Sequence, residues 1–220
     1  MITPIFRLNT KEQWRPQPVE TVERFGTIDG GPVDLAALPK AGGRMNFPAS
    51  MKDPGNTPVA GYHRVVKAAD LWWHQYWLWY LYNPWSFAGS GVGRHEGDWE
   101  FVQLGCTDTK GDRPVLVTAS QHRTGQKREF WRCELDGGRP VVYVALGSHA
   151  NFFTPGDRGQ DVANGKGKKL TDIEWHDFDK RWDSWLGRWG NSTGAGRSPE
   201  SPGCQGERWH APQIYHAEAG

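Results

Sequence analysis

The sequence has little cysteine and no long apolar run. These absences argue against a disulfide-rich protein and against a protein with a membrane-spanning helix. The three cysteines lie far apart and form no C-x-x-C pair, which indicates free thiols and no disulfide framework. The longest apolar segment, residues 71–82, is too short for a membrane helix. The N-terminus lacks a basic start followed by an apolar stretch, so we predict neither a signal peptide nor a transmembrane segment. We expect a cytoplasmic protein, or a secreted one if a leader has been removed.

An excess of charge is also absent. The chain has 26 Lys and Arg against 25 Asp and Glu, which gives no electrostatic reason to expect a nucleic-acid partner. Its 28 glycines and 15 prolines predict many loops and few helices. A length of 220 residues suits a single domain, which we divide into an irregular N-terminal wrap (1–60) and a β-sandwich (61–220). The oligomeric state stays open.

What the sequence does have is tryptophan, thirteen in all, and several lie in the segment 71–82. At strand spacing, Tyr76, Leu78 and Tyr80 fall on one face, and Trp77 and Trp79 fall on the other. Both faces are apolar or amphipathic, which is typical of a central strand covered on both sides. We therefore predict that these aromatic side chains belong to the core.

Four shorter β-rich segments follow, and turn residues join them. They cover residues 99–106, 115–121, 129–134 and 141–146. Short strands with short connections predict an antiparallel meander that forms one sheet of a sandwich.

A late segment, 171–187, shows helical spacing. Thr171 and Glu174 fit a capping box, and aromatic residues recur three and four positions apart at Trp175, Phe178, Trp182 and Trp185. The expected fold is therefore mainly β: an antiparallel two-sheet β-sandwich with an irregular N-terminal segment and one late amphipathic helix.

Ionisable residues are concentrated in the stretch GRHEGDWE, residues 93–100. On a strand, Asp98 and Glu100 share one face, where they repel each other, and His95 lies three residues earlier in a glycine-rich loop. An imidazole and two carboxylates suit a divalent cation (Mg, Ca or Mn) with water completing its shell. In the alternative interpretation, Arg94 and a nearby lysine neutralise exposed carboxylates.

Further polar residues follow the second and fourth predicted strands. In a meander both strands end where the first begins, so His122, Ser148 and His149 should meet the three candidate ligands at one rim. We predict His122 and His149 as acid and base, and Ser148, Gln121 and Arg94 as contacts to a bound ligand or cofactor. Alternatively, residues 147–151 form a turn in which His149 satisfies backbone carbonyls.

Several of these motifs resemble one known family. The segments DLWWHQYWLWYLYN and GRHEGDWEFVQL, then SQH, RPVVYVALGSHANFF and the late GRWG, resemble the vacuolar-protein-sorting-62-related family in content and order. The resemblance covers roughly residues 70–212.

A more distant similarity is to the necrosis- and ethylene-inducing-peptide-like cytolysins, whose signature is Gly-His-Arg-His-Asp-Trp-Glu. Aligned by its Asp-Trp-Glu end, the signature's first His, its Asp and its Glu fall on His95, Asp98 and Glu100. The resemblance implies a divalent-metal cavity on a β-sandwich that engages sphingolipid head groups. Two departures are Glu96 and Gly97 in place of Arg-His, and the absence of an Asp from the preceding loop.

These observations favour a protein with a divalent-cation site that holds a small polar ligand, such as a sugar or a phosphorylated lipid head group. One alternative is a metal-assisted hydrolase or lyase in which the rim histidines move protons. A second alternative is a membrane-active, cytolysin-like protein.

Overall fold

Strands dominate the fold, which we describe from a computed structural model covering residues 1–48, 58–122, 124–192, 197–210 and 216–217. In chain order the strands are β1 (Ile5–Arg7), β2 (Thr27–Ile28), β3 (Gly31–Pro32), β4 (Met45–Asn46), β5 (Ala60–Ala68), β6 (Leu71–Asn83), β7 (His95–Cys106), β8 (Pro114–Gln121), β9 (Thr124–Glu129), β10 (Leu135–Asp136), β11 (Arg139–Val144), β12 (Asn151–Phe152), β13 (Gly156–Arg158), β14 (Asp161–Ala163), β15 (Lys169–Leu170), β16 (Glu174–Asp177) and β17 (His216–Ala217). The helical segments in these ranges are short: 3-10 turns at Val19–Arg24, Phe87–Gly89, Phe130–Arg132 and Pro202–Cys204, and the α-helix α1 (Glu207–His210). None of the helices in the described ranges is long and apolar enough to cross a membrane.

The main sheet has seven strands in the order β16-β5-β6-β7-β8-β9-β17. Strands β5 to β9 form an antiparallel meander, and the two outer strands pair in parallel with their neighbours. The predicted central strand is confirmed, because β6 lies inside this sheet with Trp77, Leu78, Trp79 and Tyr80 fully buried. Large side chains on both faces of one strand require cover on both sides of the sheet.

The second sheet has the order β10-β11-β1-β15, and β12 pairs with β11. One continuous hydrophobic core joins the two sheets: Phe6 and Val142 from the second sheet belong to the same buried cluster as Trp77 and Phe101 from the main one. The mainly β fold with few helices is therefore confirmed. The three cysteines are free thiols, as the sequence indicated.

The N-terminal segment contributes more than a wrap. β1 pairs in parallel with β11 and so completes the second sheet. Residues 27–46 supply a small three-stranded sheet in the order β3-β2-β4.

Two elements of the predicted meander are placed differently. Residues 141–146 do not form its fourth strand, because β11 lies in the second sheet beside β1. The meander closes with β9 instead, which pairs with β8 as far as Gln121 opposite Thr124. Most of β9 lies in a predicted connector, because the predicted third strand begins at residue 129, where β9 ends.

The predicted late helix is wrong. Residues Glu174–Asp177 form an edge strand beside β5, and the Thr171 hydroxyl donates to Asp172 and caps no helix. Asp179 accepts a hydrogen bond from the backbone N–H of Arg181, a local bond that competes with helical pairing. The aromatic spacing instead reflects burial: Trp182 and Trp185 both lie in the core.

Candidate functional site

The two carboxylates of the acidic motif line a cavity of about 810 Å³ beside the main sheet. Asp98 and Glu100 lie on the same face of β7 and are only 7% and 2% exposed. His95 and His122 also line this cavity, so four of the predicted site residues meet there. Other side chains in its walls are Trp85, Phe87, Val92, Trp99, Arg188, Arg197, Glu200 and Arg208.

Asp98 is held through a single oxygen. Its Oδ2 accepts hydrogen bonds from Asn83 Nδ2 at 3.0 Å and from His149 Nδ1 at 2.9 Å. Burial acts to raise the pKa of Asp98, but the His149 hydrogen bond and the neighbouring imidazoles of His95 and His149 outweigh it and lower that pKa. Asp98 is therefore an anion at neutral pH.

His149 lies behind Asp98 and does not line the cavity. Its ring is fully buried, stacks on Tyr80 with centroids 3.8 Å apart, and has Nε2 3.7 Å from Glu12 Oε1. Burial disfavours the charged ring, but the Glu12 charge and the Asp98 hydrogen bond raise the pKa of His149 to about 9. An imidazolium thus lies between two carboxylates at neutral pH. The ring donates a hydrogen bond to Asp98, and the predicted proton transfer by His149 stays a prediction.

Glu100 differs from Asp98 in the direction in which its pKa is shifted. Its Oε2 accepts a short hydrogen bond from the Ser120 hydroxyl and lies 3.4 Å from Arg208 Nη2. The Ser120 hydroxyl is itself fixed, because it accepts the Phe101 N–H at 2.8 Å. Burial and the Asp98 charge raise the pKa of Glu100 to about 7, although Arg208 and Ser120 act against the shift.

Each carboxylate has one oxygen that accepts no hydrogen bond from the described residues. Within the described residues, every hydrogen bond to Asp98 goes to Oδ2 and every one to Glu100 goes to Oε2. His95 is oriented in the same way. Because the Gly97 carbonyl oxygen can only accept, His95 donates Nδ1–H to it at 2.6 Å, and the neutral ring would then carry its lone pair on Nε2.

The donor types fit a hard divalent cation, but the three side chains do not form a ready-made metal cluster. In the described parts of the chain, no three His, Cys, Asp or Glu side chains are grouped closely enough to hold an ion. Mg²⁺ commonly binds through one or two carboxylates and keeps several waters. Asp98 and Glu100 are two carboxylates on one strand face, each held by partners behind it.

His122 reaches the cavity from the turn after β8, with a left-handed φ of 54°. Its Nε2–H donates to Asp161 Oδ2 at 2.9 Å, and this bond raises the pKa of His122. The other oxygen of Asp161 accepts from Ser148 Oγ at 2.5 Å. Ser148 is buried and does not line the cavity, so its hydroxyl positions Asp161.

The remaining two predicted ligand contacts lie outside the cavity lining. Gln121 Nε2 donates to the Asn151 carbonyl at 2.9 Å, and Arg94 lies exposed in the loop before β7. The predicted rim therefore forms around His95, Asp98, Glu100 and His122, with His149 and Ser148 directly behind it.

Sequence reasoning missed the partners that hold these residues in place. Glu12, Asp161 and Arg208 come from the N-terminal segment, a short hairpin and the last helix. No local spacing connects them to the acidic motif. Asn83, which directly follows the aromatic segment 71–82, was not predicted as a site residue either.

Comparison with known proteins agrees with the resemblance seen in the sequence. The model of the family described as "Vacuolar protein sorting-associated protein 62" matches residues 83–170, a range that includes both carboxylates, His122 and His149. The resemblance to that family is therefore confirmed over this region. No curated protein is significantly similar to the chain.

Solved structures of the necrosis- and ethylene-inducing protein group are similar to this chain, with TM-scores below 0.5. "NLPPya in complex with mannosamine" is 16% identical, covers 90% of this chain and 81% of its own, and gives a TM-score of 0.49. "Toxin fold for microbial attack and plant defense" is 15% identical with the same two coverages and a TM-score of 0.48. Necrosis and Ethylene inducing Protein 2 from the causal agent of cocoa's Witches Broom disease is 17% identical, covers 79% and 70%, and gives 0.47. At such low identity the likeness does not extend to ligand or activity.

Proposed function

We propose that this chain binds a hydrated divalent cation between Asp98 and Glu100, and that the ion and the cavity walls together hold a small polar ligand. The observation that carries the proposal is the shared arrangement of the two carboxylates. One oxygen of each is held by the protein, and the other accepts no hydrogen bond within the described residues. Both side chains line one cavity.

Charge supports a cation at this position. Two carboxylates two residues apart on one strand face repel each other, and burial strengthens the repulsion. Without an ion the site relieves it by protonating Glu100, whose pKa is raised to about 7. A divalent cation relieves it with both groups ionised. His95 Nε2 can then accept a hydrogen bond from a metal-bound water, or bind the ion directly after a side-chain movement.

The cavity suits a polar molecule of the size of a sugar or a phosphorylated head group. Its volume of about 810 Å³ lies in the range of small-molecule sites, about 300–1,000 Å³. Arg188 and Arg208 supply hydrogen-bond donors in its walls, while Trp85 and Phe87 supply apolar ring faces. Such a mixture of side chains suits a ligand that carries hydroxyl or phosphate groups on a ring with an apolar face.

The proposal includes a cytoplasmic location, and cell fractionation would test it.

A second candidate function is acid–base catalysis, and one specific observation favours it. The pKa values of Asp98 and Glu100 are shifted in opposite directions, which is how paired carboxylates divide acid and base roles. His122 faces the same cavity, and its hydrogen bond to Asp161 raises its pKa, which suits a proton donor. A hydrolase or lyase of this kind should lose at least about a hundredfold in kcat with Glu100→Gln, the lower end of general acid–base contributions. A binder should turn over none of a panel of sugar phosphates and esters.

Calorimetric titration of the purified chain with Ca²⁺, Mg²⁺ and Mn²⁺ tests the first proposal. We expect one saturable ion per chain for the parent, and loss of binding in Asp98→Asn and in Glu100→Gln. Glu129→Gln is the matched control, because it removes one carboxylate at an exposed position away from the cavity. Equal metal binding by the parent and Asp98→Asn, with both folded by circular dichroism, would disprove the cation site.

A further inference from the structure

We propose that a second pocket, next to the main cavity, binds a phosphate or sulfate group through Arg44, Arg188, Arg197 and Ser198. This pocket has a volume of about 290 Å³ and is lined by these four residues and Ser192. Arg188, Arg197 and Ser198 line the main cavity as well, so the two spaces adjoin. The anion site stands without the proposed cation site, because neither Asp98 nor Glu100 belongs to it.

The backbone brings two of the arginines together. Arg44 and Arg188 face each other in a parallel β-bridge, with the Met45 N–H donating to the Arg188 carbonyl and the Arg188 N–H donating to the Gly43 carbonyl. Like charges on paired residues destabilise a sheet unless something lies between them that neutralises them. A third guanidinium, from Arg197, lines the same pocket.

Among the residues that the structure describes, these positive charges outnumber the carboxylates paired with them. Arg188 Nη2 pairs with Glu200 Oε1 at 2.7 Å. Within the described residues, neither Arg44 nor Arg197 forms an ion pair. The part of the pocket lining that the structure describes therefore leaves the guanidinium groups of Arg44 and Arg197 without a carboxylate partner.

Ser198 gives independent evidence for a ligand. The residue is only 2% exposed, and its Oγ is buried without a hydrogen-bond partner in the described part of the chain. Buried hydroxyl groups almost always have a partner, because leaving one unpaired costs free energy. Its carbonyl oxygen is already used, since it accepts Arg188 Nη1 at 3.3 Å. The hydroxyl is thus available to donate to an oxyanion held by the arginines.

A tetrahedral oxyanion fits this set of donors. The planar guanidinium fork binds phosphate and sulfate oxygens in pairs, and a serine hydroxyl adds one donor. The small volume suits a single anionic group, with the rest of a larger ligand in the adjoining cavity. That extension rests on the proposed function: a ligand with hydroxyl groups near the Asp98–Glu100 floor and a phosphate or sulfate ester in the arginine pocket.

Calorimetric titration with inorganic phosphate, glucose 6-phosphate and glucose tests the inference. The test variant is Arg44→Gln/Arg197→Gln, and the matched control is Arg24→Gln/Arg113→Gln, which removes the same charge at exposed positions outside the pocket. We expect the test variant to bind phosphate at least about tenfold more weakly, a change of 1.4 kcal/mol, and the control to change it by less than about twofold.

Ser198→Ala separates ligand binding from structure. Removing an unpaired buried hydroxyl should leave the unfolding midpoint unchanged or raise it, while phosphate affinity falls severalfold. No saturable phosphate binding by the parent, or equal phosphate affinity of parent and test variant, would overturn the anion site. Tighter binding of glucose 6-phosphate than of phosphate supports a ligand that spans both spaces. Equal binding of the two supports the anion site with a free anion as its ligand, and contradicts only the spanning ligand.

Discussion

Glu100→Gln should make the protein more stable at alkaline pH, because Glu100 is buried and its ionisation is unfavourable. The folded-state pKa of about 7 lies above the ordinary value of 4.5, so the folded protein binds this proton more tightly than the unfolded chain does. The stability that this proton provides is fully present below pH 4.5 and is lost as the pH rises through 7. At about 1.4 kcal/mol per pKa unit, the loss is about 3 kcal/mol.

The glutamine side chain keeps the shape of Glu100 and an oxygen that can accept the Ser120 hydroxyl. It cannot ionise, so the variant should escape the loss. For a chain of this size, 3 kcal/mol corresponds to about 6–12 °C in Tm at pH 8, with the variant above the parent. Between pH 4.5 and 7 the difference in Tm between Glu100→Gln and the parent should grow steadily. Other titrating groups, such as His149, change the stability of both proteins equally.

Thermal unfolding from pH 4 to pH 8 in a buffer with a chelator measures this difference. Glu129→Gln serves as the control and should follow the parent throughout. Adding Ca²⁺ at pH 8 should stabilise the parent and leave Glu100→Gln unchanged, because only the parent retains both carboxylates. Identical pH profiles for the parent and Glu100→Gln would refute the reasoning.

Three further substitutions probe the surroundings of the site and are read by urea unfolding. His149→Gln should cost about 3–5 kcal/mol at pH 6.5 because Glu12 and Asp98 lose the cation between them, and the cost should shrink as the pH rises through 9, where the parent's imidazolium loses its proton; an unchanged cost at pH 10 would contradict the charged ring. Gly97→Ala should cost about 3 kcal/mol, since φ is +66° and the added Cβ would overlap the Trp189 carbonyl and the Trp79 ring; parent-like stability would contradict this close approach. Trp131→Ala, at an exposed position, should change stability by less than about 0.5 kcal/mol, and a larger effect would show a contact that the structure lacks.

The acidic motif could be predicted from the sequence because its geometry is local. Residues two apart on a strand share a face, so Asp98 and Glu100 had to lie side by side. The sequence predicted that His149 lies near Asp98, but part of the reason was wrong. The strand before it lies in the second sheet, but that sheet packs on the main one and its loop still reaches Asp98.

Other features depend on contacts that no short pattern encodes. Glu12 meets His149 from the far end of the sequence, and Arg208 reaches Glu100 from the last helix. Aromatic spacing is also ambiguous: Trp182 and Trp185 are buried at intervals that fit a helix, yet neither lies in one. Burial fixes which side chains point inward, but several backbone conformations can place them there.

A crystal structure of the chain soaked with Ca²⁺ tests the cation site most directly. The proposal predicts an ion within about 2.3–2.6 Å of one oxygen from each of Asp98 and Glu100, with waters completing its shell. Crystals in which Asp98 and Glu100 share a proton and exclude the ion, or in which calcium binds only elsewhere, would contradict it.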